Sequence, residues 1–208
     1  MKIGIAVRTG GEALAASLAG LYAAAGKDVN ILLLTEWEKV AKISTHIPLK
    51  TVDCDKFLYV DVLVADAAGL RAVDAACACV RTGLSVVCAD DGDCRAAACL
   101  PACGGRVVSY GLNGKSCVTA SSVDEERLLL CIQRAFAAVD GQMVERMEFP
   151  LRRRASAAAP RLLLAAASAA LCGGLRAEDI AAFFASEDKN TTSQGISLGK
   201  REYAKPKH

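Results

Sequence analysis

The chain is short of most features that would assign it a chemistry. Its net charge is only +2, too small to single out nucleic acid or an anionic membrane as a partner. No apolar run reaches the roughly 18 residues a membrane-spanning helix needs. The nearest, Ala155 to Leu175, is broken by Arg161, and its alanine richness suits a helix packed inside a protein. The first residues, MKIGIAVRTGG, hold a short apolar run, but Arg8 and Gly10-Gly11 interrupt it and no cleavage region follows, so no export signal is expected. The ten cysteines contain no CxxC pair. Without an export signal a disulfide framework is not expected, and the thiols read as small buried hydrophobes. The competing reading is a metal site on Cys99 and Cys103 with Cys94 nearby, although zinc sites usually show tighter paired spacing. These exclusions leave a soluble, cytoplasmic protein. What is present is a globular composition, 53% hydrophobic and 23% charged, and 208 residues, enough for one sizeable core.

The most informative stretch runs from Gly83 to Ala120. Leu84 to Ala89 is an apolar, strand-like run, and two carboxylates, Asp90 and Asp91, follow it at once. Asp93 to Cys103 has helical character, Gly104-Gly105 breaks the chain, and Arg106 to Tyr110 is a second strand-like run. This is one βαβ unit of an α/β sheet. Ligands of such sheets bind beyond the carboxyl ends of the strands, where Asp90 and Asp91 lie.

The beginning of the chain repeats the layout. Lys2 to Val7 predicts a strand, Thr9-Gly10-Gly11 a turn, Glu12 to Ala25 a helix ended by Gly26, and Val29 to Leu34 a second strand. A helix that starts after glycines offers backbone N–H groups to an anion. A full phosphate loop, GxxxxGK[ST], also needs a lysine for the terminal phosphates and a hydroxyl for magnesium. Here Gly11 and Glu12 stand at the end of the turn, and Glu12 suits the first turn of an unliganded helix through the helix dipole. Thr9, Gly10, Gly11, Asp90 and Asp91 are the candidate cofactor-binding residues, set against a purely structural helix start; no catalytic residue and no metal ligand is assigned.

Further along, Thr35 to Cys54 is irregular and holds Trp37, His46 and Pro48, with His46 read as a loop residue. Phe57 to Ala65 predicts a third strand with Asp66 at its end, and Ala67 to Arg81 a helix. Asn113-Gly114-Lys115-Ser116 looks like the end of a phosphate loop, but a strand-like run follows it and a hairpin-type turn explains it. Val123 to Val139 predicts a helix on Leu128, Ile132, Ala135 and Val139, Asp140-Gly141 a turn, and Gln142 to Leu151 a strand. Arg152 to Arg154 reads as a solvated basic loop. Ala157 to Cys172 and Ala177 to Ala185 predict two helices around Gly173-Gly174, and a polar basic tail runs from Glu187 to His208.

Four stretches, in this order and spacing, resemble the central, ATP-binding domain of the Mur ligase superfamily, which includes the peptidoglycan Mur ligases, folylpolyglutamate synthetase and the ligase part of cyanophycin synthetase. They are AGLYAAAGKDV (19–29), VLVADAAGLR (62–71), VVCADD (86–91) with the later SYGL, and AAASAALCGGLRAEDI (165–180). The resemblance implies an α/β fold with a mostly parallel sheet flanked by helices, a P-loop-like domain over residues 1–186, and ATP and magnesium as cofactors of an acid–amino-acid ligase. The departures imply otherwise. The family's P-loop lysine falls on Gly11, its magnesium-binding hydroxyl on Glu12, its glutamate on Val64, its His-Asn motif near Ala158 and Ala159, and the asparagine of its Asn-Ala-Asp-Asp strand on Cys88. The family's amino-terminal substrate domain and carboxy-terminal closing domain are not recognised in the sequence either. The expectation is a non-catalytic domain without a cofactor that serves as a partner or regulatory subunit, through a protein partner or homo-oligomer. An ATP-dependent amide ligase completed by another chain, with Lys115 reaching the Gly10 turn, and a weak nucleotide or anion sensor are the alternatives.

Overall fold

A computed structural model describes residues 1–34, 42–43, 58–75, 80–90, 105–152 and 159–186. Nine strands form one sheet in the order β11-β8-β7-β6-β5-β4-β1-β2-β3, and two short strands, β9 and β10, form a ribbon of their own. The parallel centre is β1 (Lys2–Ala6), β2 (Asn30–Leu33), β4 (Leu58–Ala65), β5 (Val80–Cys88) and β6 (Arg106–Tyr110). At one edge β3 (Lys42–Ile43) pairs antiparallel with β2. At the other, β7 (Val118–Val123), β8 (Arg127–Ile132) and β11 (Glu148–Arg152) are joined antiparallel, and β7 meets β6 through a single parallel pair, Tyr110 with Val118. The fold is α/β with a mostly parallel sheet flanked by helices.

Alternation along the strands divides the core. Ile3, Ile5, Val62, Val64, Leu84 and Val86 face the larger core with helices α1 (Gly11–Ala24), α3 (Pro160–Cys172) and α4 (Ala177–Ser186). Ala6, Leu63 and Ala65 face a smaller core with α2 (Ala67–Ala75), on whose first turns Leu70 is buried. Every residue of α3 from Leu163 to Cys172 is buried. A helix apolar all round belongs in an interior, and the small alanine side chains let α3 pack closely against α1, α4 and the sheet together. Cys172 lies wholly inside this packing, and burial pushes its thiol far above the ordinary range, so it behaves as a small hydrophobe.

Several sequence expectations are corrected. Val123 to Val139 is not a helix but β8 flanked by parts of β7 and β9 (Phe136–Ala137). Asp124 caps a tight turn into β8 by accepting hydrogen bonds from Glu126 N and Arg127 N at 2.9 and 2.6 Å. The expected strand over Gln142 to Leu151 is two strands, β10 (Met143–Val144) and β11, in different sheets. The Asp140-Gly141 turn is present and closes the β9–β10 ribbon. The helix expected to reach Arg81 has given way to β5 by Val80. Asn113-Gly114 does turn the chain, but the strands on either side pair parallel, so it is not a hairpin. The expectations for Trp37, His46, Asp91, the 93–103 helix, Cys94, Cys99, Cys103, Arg153, Arg154 and the 187–208 tail lie outside the described residues.

Candidate functional site

The strand order reverses between β1 and β4: the chain leaves β1 for β2 on one side, and from β4 it proceeds through β5 and β6 on the other. Helix α1, which follows β1, and α2, which follows β4, lie against opposite faces of the sheet. This leaves a crevice beyond the carboxyl ends of the two strands, the place where open α/β sheets bind ligands. A pocket of about 420 Å³ occupies it. Val7, Arg8 and Thr9 line it from the end of β1, Asp66 and Arg71 from the start of α2, and Arg161 from the first turn of α3.

Asp66 builds the crevice rather than facing into it alone. Its Oδ2 accepts a hydrogen bond from Arg8 N at 2.8 Å and its Oδ1 one from Gly69 N at 2.7 Å, so it caps α2 and ties the loop after β1 to that helix. Gly69 is required there because any Cβ would strike the Ala6 carbonyl. Gly10 occupies the N-cap position of α1 with φ of 77°, a left-handed conformation that suits glycine, and no side chain caps the helix. Glu12 sits in the first turn, as expected. Leu162 packs directly against Gly10: a Cβ on the glycine would lie 2.7 Å from Leu162 Cδ1. An apolar side chain from α3 thus lies against the Gly turn.

Asp90, just past β5, has a side chain only 6% exposed. It accepts hydrogen bonds from Leu112 N (2.8 Å), Asn113 N (3.1 Å) and Asn113 Nδ2 (2.9 Å), and Arg161 Nε stands 3.1 Å from its Oδ2. Burial pushes its carboxyl up, but the Leu112 and Asn113 hydrogen bonds and the Arg161 charge outweigh burial, and the net shift is downward. The carboxylate is committed to holding the turn after β6 and the start of α3. Gly111 is packed against it, since a Cβ there would come within 2.5 Å of Asp90 Oδ1.

Of the residues singled out in the sequence, Thr9 lines the pocket, Gly10 and Gly11 form its neighbouring turn, and Asp90 reaches it through Arg161. Lys115 lies in the turn after β6 and is not among the described lining residues. The lining residues missed in the sequence are Arg8, Asp66, Arg71, Cys88, Tyr110 and Arg161 as a group. Their only common signal is position: Arg8, Asp66 and Cys88 each close or follow a strand, where ligands of α/β sheets gather. Among the described residues no group of three His, Cys, Asp or Glu is gathered as metal ligands would be, and no helix is long and apolar enough to cross a membrane. No family model matches the chain, and no curated protein matches it.

Proposed function

We propose that the chain is a non-catalytic, Mur-ligase-like domain that acts as a partner or regulatory subunit, possessing the family's scaffold without its phosphate and metal contacts. The observation that carries this reading is the Gly turn after β1: Gly11 and Glu12 stand where a lysine and a hydroxyl are needed, and Leu162 lies against Gly10. Carboxylate activation as an acyl phosphate needs cations at the phosphates and domain closure around the reacting groups. Val64, at the position of the family's glutamate, is fully buried in the sheet and offers no ligand atom. The committed hydrogen bonds of Asp90 point to a scaffold role for that carboxylate as well.

The test is to purify the tagged full chain from its native host and to assay what accompanies it. The expected result is a stoichiometric complex with an intact acid–amino-acid ligase whose rate changes when the chain is removed. A protein that stays solitary at native abundance, or a ligase indifferent to it, counts against the proposal. Release of phosphate from ATP by the chain, alone or with that partner's active site disabled, would replace it with the alternative of an ATP-dependent amide ligase.

A further inference from the structure

We propose that the switch-point pocket binds a small polyanion, carrying phosphate or carboxylate groups, without a divalent cation. The inference stands apart from the subunit reading, because it rests on the pocket and not on a partner. Three guanidinium-bearing residues, Arg8, Arg71 and Arg161, line the pocket from three different elements, and Asp66 is the one carboxylate among the described lining residues. Asp66 directs one oxygen to Arg8 N and the other to Gly69 N, so both are turned to backbone donors. The lining therefore carries an excess of positive charge in a concave site.

Helix α3 begins in the same wall. Ala159 is its N-cap and makes no side-chain cap, Pro160 is its first residue, and Ala159, Arg161 and Leu162 all line the pocket. The positive end of the helix dipole adds to the three side chains. Arginine suits this task because its planar fork can hold a phosphate or carboxylate through two parallel hydrogen bonds. A volume of about 420 Å³ lies toward the small end of ligand pockets and fits a small metabolite. The carboxylates that might have held a cation are otherwise engaged: Asp66 by backbone donors, Asp90 by Leu112, Asn113 and Arg161.

Calorimetry on the full chain tests this with inorganic pyrophosphate and with citrate as probes, each in EDTA and in magnesium. The two probes separate a phosphate ligand from a carboxylate one. At least one should bind at submillimolar affinity in EDTA, more weakly as salt rises. Arg8→Gln combined with Arg71→Gln should weaken it about tenfold or more, while Arg127→Gln, on β8, should change nothing. Both pocket arginines are exposed, and the unliganded double variant should keep its melting midpoint; if it does not fold, Arg8→Gln alone should weaken binding severalfold. Absence of binding by both probes at millimolar concentration, affinity unchanged in the folded variants, or binding only with magnesium would overturn the proposal.

Discussion

Asp90 shows how a single residue can look like a ligand and serve as a strut. Its position after an apolar strand is where an α/β enzyme places a functional carboxylate, and that much is visible in the sequence. The partners that occupy it are not: Leu112 and Asn113 are 22 and 23 residues away and Arg161 is farther still. With its folded-state pKa depressed below the ordinary 3.8, Asp90 contributes stability that is present above that value and lost as pH falls through the folded one. Asp90→Asn keeps the shape and removes the charge, so it should destabilise the protein by about 1–3 kcal/mol near neutral pH, the scale of hydrogen bonds to a charged group. The difference from the parent, measured by urea unfolding, should hold constant from neutrality down to about pH 5 and close below 3.8. A gap that persists unchanged in strong acid would show that the charge is not what matters. Gly69 makes the complementary case. Nothing in its sequence neighbourhood marks it, yet Gly69→Ala must push α2 away from the Ala6 carbonyl. It should cost about 2 kcal/mol or more, read in the same unfolding experiment, as overpacking against rigid backbone does.

At the scale of elements, the parallel half of the sheet was legible because its strands are apolar runs ending at glycine or aspartate. The antiparallel half was not, and β8 shows why. Leu128 and Ile132 are four residues apart, a spacing that suits one face of a helix and also one face of a strand. Leu130 separates the two: in a helix it turns away from Leu128, whereas in a strand it shares that face. In β8 Leu128, Leu130 and Ile132 are all buried, and both neighbours, β7 and β11, hold the strand by antiparallel pairs. Leu130→Ala should therefore cost about 2–5 kcal/mol, the range for a leucine removed from a core. Leu129→Ala, on the half-buried face, should cost clearly less. Equal losses at the two positions in chemical denaturation would contradict the strand. Helices α1 and α3 were easier to read, since an all-apolar alanine run has few stable places except an interior.

For the molecule as a whole, the crevice between β1 and β4 follows from topology, and the side chains around it decide what it does. The sequence supplied the Gly turn and the missing lysine and hydroxyl, but not the three arginines from separate elements or Leu162 against Gly10. If the scaffold is otherwise sound, restoring the two side-chain contacts should restore some binding. A Cβ at Gly11 would meet Val7, Leu33 and Ile5 no closer than 3.5 Å, so a lysine can be accommodated there without backbone movement. Glu12 is exposed in the first turn of α1, where a single charge contributes at most about 1 kcal/mol, so its replacement should not unfold the protein. The double variant Gly11→Lys with Glu12→Thr should then bind Mg-ATP weakly, at millimolar to high-micromolar affinity by calorimetry. It should show no turnover, because Val64 remains buried where the family has its glutamate and Leu162 still lies against Gly10. Adding Leu162→Ala should tighten that binding if the leucine is what crowds the turn. If the unaltered protein already binds Mg-ATP at micromolar affinity and Glu12→Ala abolishes it, Glu12 is a metal ligand, and the ligase reading takes the place of the subunit one.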